Sequence, residues 1–181
     1  GFNNGIGIAG LAPRVRLMPL RALDSTGSGN TLVLAQAINY AVDNGARVIN
    51  LSLVGKISDP DLNRAIENAY IHGVAIVAAA GNEEIQGLNL DSTPRYPICD
   101  AVETNQVFGV ASVDEDNSLS SFSNYGSSCV DVVAPGTNIY STVPLLTPSG
   151  TAQEPYQGGW AGTSVAAPIV SALLADVMIV D

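Results

Sequence analysis

The run Val74–Gly81, VAIVAAAG, carries no charged or hydrogen-bonding side chain along its whole length. A strand alternates its side chains between two faces, so a run of this kind must be covered by apolar layers on both sides. ARVINLSL (46–53) is a second, buried-looking strand, and each of the two is preceded by a segment with helical spacing. In NTLVLAQAINYAVDNG (30–45), Leu34, Ala37, Ile38, Ala41 and Val42 share one face, Asn30 is placed to cap the start and Gly45 to end it. In DPDLNRAIENAYIHG (59–73), Asp59 is the cap, Pro60 takes the first helical position and Gly73 is the stop. Helices alternating with strands at this spacing require crossover connections, and so a parallel sheet clothed on both faces. Further strands are expected at VRLMPLRAL (15–23), VFGVASV (107–113) and CVDVVAPG (129–136), with a last helix after Gly162. The expected fold is therefore α/β, a three-layer α/β/α sandwich with a mostly parallel central sheet.

A chain of 181 residues with 46% apolar and 13% charged residues fits one domain with a real core, residues 1–181. Its net charge of −10 excludes a nucleic-acid partner, because nothing offsets phosphate repulsion. The longest apolar stretch, Val165–Val180, is interrupted by Pro168, Ser171 and Asp176, which rules it out as a membrane span. The chain opens at Gly1 with neither Met nor a basic-then-apolar leader and stops at VMIVD inside a helical pattern, so it reads as truncated at both ends. Cys99 and Cys129, with one distant histidine, cannot make a zinc site; a single bridge and two buried thiols both stay open.

In sheets of this kind ligands bind beyond the carboxyl ends of the strands. Those ends read RALDSTGSGN, LSLVGK and AAAGNEE, rich in small residues that let backbone approach an extended ligand. One hydroxyl stands out nearby. In GWAGTSVAAPIV (159–170), Ser164 lies where a loop turns into an apolar helix. Taken alone it is a helix cap. The same place, with its free N–H groups and helix dipole, also suits a nucleophile whose target becomes an oxyanion.

The wider pattern favours the second reading. GTSVAAP, with GIGIAGLAP (5–13), INLSLVG (49–55), AAAGNE (78–83), SFSNYG and VDVVAPG in that order, resembles the subtilisin-like serine proteases over nearly the whole chain. That resemblance implies an endopeptidase that cuts extended polypeptides through an acyl-enzyme on Ser164, with Asn82 as the oxyanion-hole amide. It also implies that Gly162 and Thr163 flank the nucleophile, and that Ser52, Leu53, Val54 and Gly55 form the edge on which a substrate adds as a strand. Gly27, Ser28 and Gly29 resemble the opposite wall, and Ala79, Ala80 and Gly81 the pocket for the residue before the cut bond. The family usually has glycine where Val54 stands, so the entrance is expected to be narrower here. Thr93–Pro94 matches a position that is often a cis peptide in relatives.

The serine mechanism needs a histidine and a carboxylate to orient it. The single histidine, His72, sits at a helix C-terminus and at the amino end of the next strand, which assigns it to capping. Asp24, in LDSTG, resembles the family's catalytic aspartate motif but lies in the groove-loop position, and it is read as loop. In relatives both the aspartate and histidine segments precede the region resembling NNGIGIAGLAP, so two triad members are expected upstream of Gly1. FNNGIGI (2–8) resembles a calcium-binding loop, with Asn4 giving a side-chain oxygen and Ile6 and Ile8 backbone carbonyls; no cofactor is required for the chemistry itself. The acidic turn VDEDN (113–117) is a solvated surface turn. Export of the parent protein, and a propeptide or upstream segment as partner, follow from the same resemblance. The competing readings are a non-catalytic peptide-binding pseudoprotease, and a doubly wound nucleotide-binding module that the absence of any phosphate-loop motif disfavours.

Overall fold

The computed structural model describes residues 5, 7–83, 85–100, 106–147 and 149–180. Strands β1 (Val48–Leu51), β2 (Ala75–Ala79), β3 (Val107–Val113) and β4 (Val132–Pro135) lie side by side in that order, all parallel. Helices α1 (Thr31–Asp43) and α2 (Pro60–Ile71) cover one face, and α3 (Thr163–Val180) covers the other. An antiparallel pair, β5 (Ile139–Thr142) and β6 (Tyr156–Trp160), leads into α3. The α/β/α sandwich read from the sequence is the observed fold.

Strand β2 shows why both faces are apolar. Ile76, Ala78 and Ala80 pack with α1 and α2, while Val77 and Ala79 pack with α3, each at most 1% exposed. Fully burying a Val or Ile side chain contributes about 1.5–3 kcal/mol, so this strand alone anchors three layers. The alanines serve approach rather than bulk: Ala166 and Ala167 of α3, both fully buried, meet Ala79 and Ala134 of the sheet. The helix limits follow from their caps. Asn30 Oδ1 accepts the Val33 N–H at 2.8 Å, and Asp59 Oδ1 accepts those of Asp61 and Leu62 at 2.8 and 3.3 Å. Gly45 and Gly73 end the helices at φ +78° and +71°, a region closed to most L side chains.

Residues 15–23 are not a strand. They run as irregular chain, with Leu17 88% exposed, and pair with no strand among the described residues. Alternation supplies the side-chain pattern, but a strand exists only in a ladder, and β1 offers its described partner, β2, on one side alone. The cis peptide is Tyr96–Pro97, not Thr93–Pro94.

Cys99 and Cys129 form a disulfide across 30 residues of sequence, both ends buried in the core under α1 and α2. Closing a loop of that length restricts the unfolded chain by about 3–4 kcal/mol in the chain-entropy account. Replacing both cysteines by alanine is expected to lower the unfolding free energy by that amount, read from urea midpoints.

Asp100, next in the chain, is 3% exposed. Burial pushes its carboxyl up to about 6, opposed by the Ser58 hydroxyl that donates to it at 2.9 Å and helped by the neighbouring Asp59 charge. The folded protein therefore holds a proton there that the unfolded chain releases near pH 4. Stability contributed by the protonated form is complete below about pH 4 and is lost as pH rises through about 6, by roughly 3 kcal/mol. Asp100→Asn is expected to flatten that decline, measured as unfolding free energy at pH 4, 5, 6 and 7.

Candidate functional site

Strands β1 and β2 end together, with Leu51 opposite Ala78, so Ser52–Gly55 and Ala80–Asn82 leave the sheet as neighbours. The start of α3 lies over them. Ser164 is its second residue and is exposed, and its Oγ faces the Ser52 carbonyl at 3.4 Å. Pro168, inside the helix, has no N–H to give to the carbonyl four residues back, which is that of Ser164. The Ser52 hydroxyl donates to that carbonyl instead, at 2.8 Å. Asn50 in turn donates to Ser52 Oγ and accepts from Ser171 Oγ, each at 2.9 Å, so the end of β1 is tied to α3 at two levels. The spacing of serine and proline thus fixes the helix start against the strand end.

Thr163, fully buried, orients Asn82. Its N–H and its hydroxyl both donate to Asn82 Oδ1, at 2.9 and 3.0 Å, and the same hydroxyl accepts the Gly81 N–H at 3.0 Å. With Oδ1 held inward, the Asn82 Nδ2 donors face out. They have no acceptor among the described residues, and neither does the Ser164 N–H. The place a Gly162 Cβ would fill lies 3.0 Å from Asn82 Nδ2 and 3.7 Å from the Ser164 nitrogen. Gly162, at φ +140°, leaves that place open between two outward-facing donors. An exposed hydroxyl beside a pair of unspent N–H donors is the arrangement needed to attack a carbonyl and hold the oxygen that becomes negative.

Residues 1–179 match the family model of the subtilase family. The chain belongs to that family. It is 42% identical over 169 residues to thermitase of Thermoactinomyces vulgaris, covering 93% of this chain and 53% of that protein. It is 37% identical over 177 residues to subtilisin E of Bacillus subtilis (strain 168), covering 98% of this chain and 42% of that one. A solved cold-adapted subtilisin-like serine proteinase superposes with a TM-score of 0.76 at 30% identity, over 95% of this chain and 56% of that chain. The subtilase chain thus spans about half the length of the relatives it matches.

The other candidates of this subtilase chain fall into two groups. Val54, Gly55, Ala79, Ala80 and Gly81 adjoin the Ser164 cluster. The peptide N–H and C=O of Gly55 are both engaged by Tyr96, at 2.7 and 3.0 Å, and those of Val54 have no partner among the described residues. Val54 itself is 41% exposed, and its two methyls lie 3.2 and 3.3 Å from where a Gly81 Cβ would stand. Leu53 is half-buried and packs against the core beneath. Gly27, Ser28 and Gly29 stand apart, in an exposed turn closed by Asp24, whose Oδ1 accepts from the Thr26 hydroxyl and from the Thr26 and Ser28 N–H groups. Those bonds, the Thr26 hydroxyl first, hold the Asp24 carboxyl below its ordinary value, as befits a turn-closing anion. No described hydrogen bond or ladder joins this turn to Ser164.

His72 is the C-cap of α2, with Nδ1–H directed at the Asn68 carbonyl at 2.8 Å. It lies before the amino end of β2, whereas Ser164 lies beyond the carboxyl ends of the strands. His72→Ala is expected to leave labelling by a serine-directed probe unchanged, read by in-gel fluorescence. In the acidic turn, Asp114 accepts from the Ser120 hydroxyl and Asp116 from the N–H and hydroxyl of Ser118. Asn4 and Ile6 lie outside the described residues, and Ile8 is half-buried irregular chain.

Two supports were not singled out from the sequence. Asn124, 1% exposed, donates to the Ala80 carbonyl at 2.9 Å and accepts the Leu88 N–H at 2.8 Å, holding the segment that carries Asn82. Arg95, its side chain 13% exposed, pairs with Glu83 at 3.1 Å, one residue past Asn82. Asn124 had its place inside SFSNYG as a sequence signal and Arg95 had none; partners 12 and 44 residues apart are set by the fold.

Proposed function

We propose that this chain supplies the nucleophile and the oxyanion hole of a secreted serine endopeptidase. The observation that carries this reading is the open place at Gly162, flanked by Asn82 Nδ2 and the Ser164 N–H and adjacent to the exposed Ser164 hydroxyl. A peptide carbonyl seated there presents its carbon to Ser164 Oγ. The Oγ–carbon bond forms, the carbonyl oxygen takes the negative charge, and the two donors hold it. The carbon–nitrogen bond then breaks, the amine leaves with a proton, and water hydrolyses the acyl-serine. The proton is carried by a histidine that residues 1–181 do not provide, since His72 lies before the amino end of β2; that histidine and its aspartate belong to the remainder of the protein. The 181-residue chain alone is accordingly inactive.

The substrate polypeptide pairs as an extended strand with the peptide groups of Val54, and the 27–29 turn forms the far wall of the groove. The side chain before the cut bond lies between Val54 and the Ala79–Gly81 segment. Calcium is proposed as a structural ion. The oxygen donors of Asn4, Ile6 and Ile8 are of the right chemistry, but three of them cannot complete the six to eight that Ca²⁺ takes, and no catalytic step passes through it.

The test is fluorophosphonate labelling of the full-length protein that carries residues 1–181, followed by mapping of the labelled peptide. Labelling at Ser164 supports the reading. A folded full-length protein that takes no label overturns it and leaves a peptide-binding pseudoprotease.

A further inference from the structure

Three observations converge beside Ser164. The methyls of Val54 fill the space over Gly81, reaching 3.2 and 3.3 Å from its would-be Cβ. The Gly55–Tyr96 pair clamps the Arg95–Tyr96 segment to the stretch after β1 that carries Val54. Arg95 then closes on Glu83 at 3.1 Å, and Glu83 follows Asn82 directly. The 54–55 and 82–83 segments are thus joined through residues 95–96, with the branched side chain of Val54 over Gly81 between them.

We infer that Val54 and the Arg95–Glu83 pair make this a protease for peptides with a small uncharged residue, glycine, alanine or serine, immediately before the cut bond. The inference rests on the function proposed above. A branched side chain fixed at the pocket mouth leaves an aromatic ring no way in without displacing it. Displacing it is resisted, because Val54 packs over Gly81, whose carbonyl accepts the Asn124 N–H at 3.0 Å. Next to Asn82 the charges of Arg95 and Glu83 neutralise each other, so neither a basic nor an acidic substrate side chain finds an unpaired partner there. A pocket that rejects by bulk discriminates by about 1–3 kcal/mol per misfit group, which converts to roughly 10- to 200-fold in kcat/KM.

The test compares two fluorogenic peptides, identical except for alanine or phenylalanine before the cut bond, on the full-length protein. Alanine is expected to be preferred by at least about tenfold, and Val54→Gly to shift the Phe/Ala ratio of kcat/KM towards phenylalanine by about tenfold or more. A second variant, Arg95→Ala, frees the Glu83 carboxylate, and cleavage after lysine is expected to rise about tenfold relative to cleavage after alanine. Wild type that prefers phenylalanine, or ratios that neither variant moves, overturns the inference. A fluorophosphonate carries no side chain for this pocket, so labelled enzyme with the wrong preference overturns this inference alone. Folded enzyme without label overturns the proposed function with it. Each variant is carried forward only if its labelling rate shows an assembled site, and Val54→Ala replaces Val54→Gly if the latter fails to fold.

Discussion

Ser164→Ala in the full-length protein is expected to abolish fluorophosphonate labelling and to lower kcat by about a millionfold, a figure known for the nucleophile of a subtilisin, a member of the same family. The size follows from what the hydroxyl does. Without it no acyl-enzyme forms, and only donors and groove are left to assist direct attack by water. The same substitution should hardly change stability. Ser164 is exposed, its Oγ makes one long contact of 3.4 Å to the Ser52 carbonyl, and the tie that fixes the helix start uses its backbone carbonyl instead. An unfolding free energy within about 0.5 kcal/mol of wild type, beside the lost activity, separates a reacting group from a helix cap. Substantial residual kcat, or a stability loss large enough to explain it, would assign Ser164 to capping.

Asn82→Asp should lower kcat by about 10²–10³, or 2.7–4 kcal/mol, with KM little changed; this magnitude too comes from a subtilisin. Aspartate is the sharper substitution because it keeps the acceptor that Thr163 needs. The bonds from the Thr163 N–H and hydroxyl to Oδ1 can survive, while the outward Nδ2 donors become a second carboxylate oxygen. A negative group then faces the place where negative charge must develop. Asn82→Ala removes donor and acceptor together and leaves buried Thr163 groups unsatisfied, so it should lose stability as well as rate. If Asn82→Asp leaves kcat within a few-fold of wild type while Asn82→Ala lowers it, Asn82 is a structural link to Thr163 and not an oxyanion donor.

The helices were legible because their signals are local. Asn30, Asp59, Gly45 and Gly73 act within four residues of where they stand, and the structure uses each as the sequence suggested. Strands β2 and β3 were legible because an apolar run buried on both faces admits few other outcomes; β1 and β4 are more exposed and were read from their rhythm with the helices and from short apolar runs. Residues 15–23 show the limit of that argument, since alternation says which side a residue would face but not whether a neighbouring strand is there to pair. The disulfide was open for the same reason: two cysteines 30 residues apart become partners only when β3 and the turn before β4 bring their Cα atoms to 4.9 Å.

The candidate site divides along the same line. By itself the sequence determined the residue types and their local setting: a serine at a helix start, a proline four residues on, an asparagine at a strand end, glycines on either side, and through their order a resemblance to one family. Folding added that Thr163 turns the Asn82 amide outward, that Gly55 spends its peptide groups on Tyr96 while those of Val54 have no partner among the described residues, and that Arg95 meets Glu83. The physical reason is range. Capping and side-chain periodicity act over a turn or two of chain, whereas the direction in which an amide or a peptide group points depends here on partners 81 or 112 residues away, and these meet only once the sheet is built.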